Sequence, residues 1–427
     1  MFGRICDNTG GYERSVCRRR KDVMRRSLTR RGLGMTLTLT AVGVLAAATT
    51  ATAAGASARV SAHSSVSATA CAAKPASPAR MGRFLGIVQA QQAQKAGCAA
   101  TTPSRTSNTS DPAIGQPPLL FNGGVVMGTK STGHVVLTPI FWQPAGHPID
   151  AGYQNVINTY INDVAASSHR LTNVYSMTSE YGGSNGAPLA GIKFGVPLID
   201  TGALPPSGCT VAANDTTGIY ADSTGYDACV DDDQVQAEVN RVIGVQGLPA
   251  DLAHIYLMYL PKHVETCFFP GSTLTSANAC TINNQPSTAF CAYHSQATVG
   301  GAIYANMPFP IYDSAVGFTC ANNGLNGFPV LESPNNNPDA DTIISTSSHE
   351  AIESITDPEG SAWFDAIGFE IGDECNFVFG PTNGVAGQLF NQVLNGHHYI
   401  TQEEFSNKDF AVTGLGCKQG EKETNRP

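Results

Sequence analysis

Ser347-Ser348-His349-Glu350-Ala351-Ile352-Glu353-Ser354-Ile355-Thr356-Asp357-Pro358 places four ionisable side chains close together and ends in a proline. Ile344, Ala351, Ile352 and Ile355 recur at helical spacing, and Pro358 and Gly360 stop the run, so the stretch predicts a helix over residues 339–357. At about 100° per residue, His349, Glu353 and Asp357 fall within about 80° of one another, with Glu350 at the edge of that sector. The apolar residues take the other side. The expected helix therefore has its back in a core and its ionisable stripe toward a cleft. Side chains four apart on one face can share an ion, and a cation offsets charge that the stripe would otherwise hold uncompensated.

Metallohydrolase helices carry the pattern HExxH, in which two histidines bind zinc and the glutamate is the general base. Here Glu353 stands where the second histidine would be, which makes the site harder and more anionic. Zinc is the first expectation and calcium the alternative. A catalytic zinc takes three protein ligands and leaves a position for water. The third ligand is sought in Gly368-Phe369-Glu370-Ile371-Gly372-Asp373-Glu374-Cys375, where Glu370 follows Glu353 by 17 positions and Asp373 competes with it. The metal-ligand candidates are therefore His349, Glu353, Glu370, Asp373 and Asp357. The catalytic candidates are Glu350, as general base, and His294, as an added ligand or an oxyanion binder. His397 and His398 are adjacent on an expected strand, so they point to opposite faces and are read as structural. No G-x-S-x-G, P-loop or dinucleotide fingerprint is present.

Upstream, Arg25, Arg26, Arg30 and Arg31 precede an apolar run from Leu33 to Ala48 and then small residues with A-x-A spacing. This is the layout of an export signal, by the general or the twin-arginine route, over residues 1–58. The apolar run is shorter than the roughly 20 residues of a spanning helix, so no stable membrane insertion is expected after signal cleavage. Residues 59–118 are rich in Ala, Ser, Thr and Pro and read as a disordered leader or propeptide, with a short helix near 83–95. Without residues 1–58 the chain keeps 15 basic (25 − 10) and 31 acidic (34 − 3) residues, a net charge of −16. Bulk electrostatics then oppose binding to nucleic acid or anionic membrane. Ten of the 12 cysteines remain, an even number that suits disulfides in an exported chain. Cys71–Cys98 and Cys209–Cys229 are the local pairs that spacing suggests.

From Leu119 the texture alternates between apolar segments and turns. Strands are expected at 134–142, 174–181, 191–199 and 254–260, helices at 149–166 and 231–243, and a hairpin around Asn395-Gly396. The fold class is α/β or α+β: a single large zincin-like domain over 119–420, with a mixed sheet and disulfide-stapled loops. Trp142 and the tyrosines could face a sugar, although aromatic residues at such positions belong more often to a core.

Several ordered motifs carry a resemblance. Gly123-Gly124-Val125-Val126-Met127 is followed by Ile140-Phe141-Trp142, and Leu257-Met258-Tyr259-Leu260 by Phe290-Cys291 and His294. Pro334-Asn335-Asn336 then leads to His349-Glu350-Ala351-Ile352-Glu353, Ala362-Trp363-Phe364 and Glu370-Ile371-Gly372-Asp373-Glu374-Cys375. This series resembles the exordium (phosphate-induced) family of secreted proteins and related bacterial secreted proteins. The resemblance implies an extracellular protein and groups His349, Glu353 and Glu370. Two readings follow. One is a secreted metal-dependent hydrolase, a peptidase, acting on an extracellular polypeptide or cell-wall substrate. The other is a non-enzymatic extracellular or cell-wall-associated protein of exordium-like type, with a structural metal or none.

Overall fold

The computed structural model describes residues 84–89, 91–92, 110–209, 225–272, 280–281, 290–297, 301–310, 318–320 and 331–422. The expected export signal and the Cys71–Cys98 pair lie outside these residues. The fold is mixed α/β around a seven-stranded mixed sheet. Its strands are β1 (Leu85–Gln89), β2 (Val135–Trp142), β3 (Ile192–Phe194), β4 (Leu198–Asp200), β5 (His254–Tyr259), β6 (Phe290–Gln296) and β7 (Ile303–Met307). The order is β1-β6-β7-β5-β2-β3, with β4 also paired to β2. β2, β3, β4, β5 and β7 run parallel, whereas β6 and β1 are antiparallel to their neighbours.

β2 is an interior strand, and Val135-Val136-Leu137-Thr138-Pro139-Ile140-Phe141-Trp142 buries both faces, as an inner strand of a sheet covered on both sides must. Pro139 cannot donate to a ladder, and proline is normally confined to sheet edges. Its neighbour on one side is interrupted there. β3 pairs with Val135–Leu137 and β4 with Ile140–Trp142, and Gly195 crosses the gap by donating its amide to the Leu137 carbonyl. The single strand expected at 191–199 is therefore two short ones. Trp142 is fully buried and donates from Nε1 to the Gly202 carbonyl, so it belongs to the core rather than to a sugar-facing surface.

Helix α1 (Ala151–Ala166) starts where Asp150 accepts from the amides of Gly152 and Tyr153. Helix α2 (Asp232–Gln246) opens on a capping box between Asp231 and Gln234. The acids there do more than match the helix dipole. Asp232 is buried and accepts hydroxyl hydrogen bonds from Tyr293 and Tyr304. Helix α3 (Pro338–Thr356) is the one expected from the HExxE stretch, capped by Asn337. α1 and α3 share an apolar cluster with Leu137, Leu257, Ala292 and Ala305 from one sheet face, and α2 packs with Ile140, Tyr256, Met258 and Tyr304 from the other.

The structure corrects three expectations. Residues 174–180 form a 3₁₀ helix, not a strand. Asn173 caps it by accepting from the Tyr175 amide, and Thr178 bonds back to the Tyr175 carbonyl, so local side chains satisfy backbone groups that a ladder would have used. The helix expected near 83–95 is the edge strand β1, because Phe84, Leu85, Ile87 and Val88 all bury apolar side chains. The domain also begins before residue 119. Ala113 and Ile114 donate to the carbonyls of Leu415 and Glu374, while the Gly115 and Gln116 amides donate to the carboxylates of Glu374 and Asp365.

Four disulfides staple the described residues: Cys209–Cys229, which spacing suggested, Cys267–Cys280, Cys291–Cys320 and Cys375–Cys417. The expected hairpin pairs Gln392–Leu394 with His397–Tyr399 across Asn395 and Gly396, both at positive φ as a tight hairpin turn requires. Its histidines part as expected. His397 Nδ1 lies 2.6 Å from buried Asp163 on α1, and the His398 ring stacks on Phe390. Asp163 also accepts from Tyr399 and Asn395, so one carboxylate fastens the hairpin to α1. No helix among the described residues is long and apolar enough to cross a membrane.

Replacing Asp163 by alanine should destabilise the fold by about 2 kcal/mol, because it strands the buried Tyr399 hydroxyl and frees the hairpin from α1. Urea unfolding checks this, with Asp150→Ala as a milder comparison expected to lose about 1 kcal/mol.

Candidate metal centre

Every residue of α3 from Ala340 to Thr356 is buried, so the ionisable stripe does not face an open cleft. It faces the end of the sheet where β6 and β1 lie and the short turn Asp373–Cys375. His349, Glu350, Glu353 and Glu370 are 0 % exposed, as is His294, and Asp373 is 2 % exposed. A carboxylate removed from water without a partner is destabilising by several kcal/mol, so this grouping calls for positive charge. Among the described residues, Glu350, Glu353 and Asp373 meet no lysine or arginine.

Glu353 joins two sets of side chains, each able to hold a metal ion: His349 with Glu353 and Asp373, and His294 with Glu350 and Glu353. His349 Nε2 is 3.0 Å from Glu353 Oε2 and 3.7 Å from Asp373 Oδ1. His294 Nδ1 is 3.3 Å from Glu350 Oε2 and 3.8 Å from Glu353 Oε2. Two ligands about 2.1 Å from one ion at the tetrahedral angle stand about 3.4 Å apart, the spacing seen here. His349 Nε2 and Glu353 Oε2 are close but out of line for a hydrogen bond, and neither nitrogen of His349 has a hydrogen-bond partner among the described residues.

The backbone prepares this arrangement. Glu353 Oε1 accepts from the amides of Gly372 and Asp373, at 3.0 and 2.9 Å, which fixes its other oxygen toward the histidines. A Cβ at Gly372 would lie 2.8 Å from the His349 ring, so glycine lets the turn approach the helix. The disulfide Cys375–Cys417 anchors the turn, and Cys291–Cys320 anchors the strand that carries His294.

Of the two candidates for third ligand, Asp373 joins His349 and Glu353. Glu370 lies on the far side of His294, with Oε2 3.7 Å from Nε2 of that ring. Counting positions favoured Glu370, but the 3₁₀ turn that begins at Asp373 brings the later carboxylate back to the helix. Asp357 is outside both sets. Its Oδ1 accepts from the amides of Ser361 and Ala362 and closes the helix end, while its carbonyl faces His294 Nε2 at 3.3 Å. Glu350 and His294, named from sequence, are brought together.

The sequence reading missed Glu404. It is fully buried on the strand Glu404–Phe405, and its charge is felt across the site: burial pushes its carboxyl up, His349 draws it down, and Glu353 and Asp373 push it up again. Two adjacent glutamates, Glu403 and Glu404, beside buried Ile400 and Phe405 were the available signal.

Protonation follows from the same crowding. Burial raises Glu350 well above the carboxylate range, and burial with Glu353 lifts Asp373 to about 7. For His349, burial works downward, yet Glu353 and Asp373 carry it well above its ordinary value. In the absence of a cation the cluster therefore holds protons that an ion would displace. The chain matches no family model, no curated protein and no solved structure.

Metal loading should release protons and weaken as pH falls through about 7, where Asp373 takes up its proton. Calorimetry in two buffers of different ionisation enthalpy at pH 6 and pH 8 reads this directly, and an affinity independent of pH would contradict the assignment of Asp373. Cys375→Ser/Cys417→Ser should weaken metal binding at least tenfold while His349 and Glu353 remain in place.

Proposed function

We propose that this chain is a secreted metal-dependent hydrolase of zincin-like architecture that acts on polypeptide. The observation that carries this reading is the convergence of Glu350 with His294 beside a ligand set of His349, Glu353 and Asp373. An imidazole nitrogen among carboxylates suits zinc better than calcium, which takes oxygen ligands. A bound divalent cation would supply a Lewis acid and a more acidic water. Glu350 would take the proton of that water and return it to the leaving amine. His294, with Nδ1 against Glu350 Oε2, would orient that carboxyl. The disulfides and the amino-terminal signal pattern support secretion, since such bridges persist in oxidising compartments.

One observation favours a second reading, a non-enzymatic extracellular protein of exordium-like type with a structural ion. No ligand side chain reaches solvent, and a catalytic ion needs access for water and substrate.

Elemental analysis should find about one zinc per chain, lost in His349→Ala. Glu350→Gln should keep the metal and lose roughly 10²- to 10⁴-fold in hydrolysis of an unstructured peptide library. Activity that survives Glu350→Gln would sink the mechanism. Tightly held metal with no hydrolysis, even once the site is opened, would establish the structural reading.

A further inference from the structure

The closure of the site has an identifiable cause. β1 is the outermost strand of the sheet and pairs antiparallel with β6 through Leu85–His294, Val88–Ala292 and Gln89–Phe290. Its ladder is irregular between Leu85 and Val88, where Gly86 turns to φ +49° and meets the metal centre. A Cβ at Gly86 would overlap Glu353 Oε2 and come 2.7 Å from His294 Nδ1. Only a glycine backbone fits there, and it fits directly against the oxygen shared by both ligand sets.

The flanking side chains are gripped as well. Phe84 stacks on Phe268 at 4.2 Å and meets Phe269 and Tyr293 edge-on, each at 5.3 Å between ring centres. Ile87 is buried in the same cluster. One extended segment thus makes main-chain pairing with a sheet edge, fills an aromatic pocket, and sets a bare peptide unit over the ionisable cluster. These are the features by which an edge strand recognises an added peptide: ladder bonds for affinity and pockets for alternate side chains.

We propose that β1 occupies the substrate groove of the metal centre, and that displacing it frees the β6 edge to bind an extended polypeptide with an aromatic residue two positions before a glycine. The proposal rests on the hydrolase reading and deepens it. It assigns the substrate class, the groove (β6 with the pocket of Phe268, Phe269 and Tyr293), and the reason the centre is shut. In this arrangement β1 is a substitute for substrate supplied by the chain itself.

The test uses the full chain and a labelled peptide of its own sequence, Phe-Leu-Gly-Ile-Val-Gln (residues 84–89), with fluorescence anisotropy as readout. Phe84→Ala removes the aromatic anchor, and Gly86→Val forbids the close approach to Glu353. Hydrogen exchange at the amides of residues 85–89 reports whether β1 has left. In a variant that has released β1, the peptide should bind at least tenfold tighter than to the unaltered chain, and a peptide with valine in place of glycine should not compete. Release without peptide binding overturns the groove. Undiminished protection of β1 in Gly86→Val overturns the fit of glycine over the centre. Binding with zinc present but no hydrolysis leaves the groove standing and removes the hydrolase reading. Hydrolysis by the released form that excess peptide does not inhibit has the opposite effect.

Discussion

Glu353 carries the constraint on which the rest depends. One of its oxygens is held by two consecutive backbone amides, and the other lies among two imidazoles and the backbone of Gly86. A carboxylate in such a dry place persists only if its surroundings supply hydrogen bonds on one side and positive charge on the other. The first requirement draws the turn at Asp373 onto α3. The second brings in His349 from the same helix and His294 from the sheet. The small residues are explained by the same oxygen pair: glycine at 372 and at 86 lets two further pieces of backbone crowd one side chain.

The three limbs of the centre are secured in different ways. α3 is wedged between α1 and the sheet, with Tyr259 bonding to Ser347 across the interface. The limbs carrying His294 and Asp373 are short and depend on Cys291–Cys320 and Cys375–Cys417. A bridge closing a loop of 42 residues restricts the unfolded chain by about 4 kcal/mol in the chain-entropy account, enough to decide whether a one-turn helix keeps its place. The geometry of the candidate ligands and oxidation are coupled through these two bonds.

Features set by local pattern were legible in the sequence. α1, α3, β2 and β5 follow apolar periodicity, the hairpin follows Asn395-Gly396, and the opposed fates of His397 and His398 follow from strand alternation. Features set by distant contacts were not. Residues 174–180 have strand composition, yet Asn173 and Thr178 draw them into a tight helix. The choice of Asp373 over Glu370 depends on a turn whose shape comes from Glu353 and a disulfide. β1, which lies across the polar side of α3, comes from a stretch that the sequence suggested was a leader with a short helix. Composition averages over a window, and four apolar residues, Phe84, Leu85, Ile87 and Val88, disappear in that average inside an alanine-rich leader.

The separation of β1 from its partner affects the order of assembly. Leu85 pairs with His294 from about 200 residues away, while His349, Glu353 and Asp373 lie within about one loop of each other. Contacts of long separation bear the larger closure entropy and form late. An ion held by these local ligands would therefore enter through the gap that β1 later fills. Once the strand is seated, an ion held there would leave only when the edge opens, a local fluctuation with its own free energy. How tightly such an ion is held would then be a property of the helix and its turn, whereas how quickly it exchanges would be a property of a strand about 200 residues away from its partner.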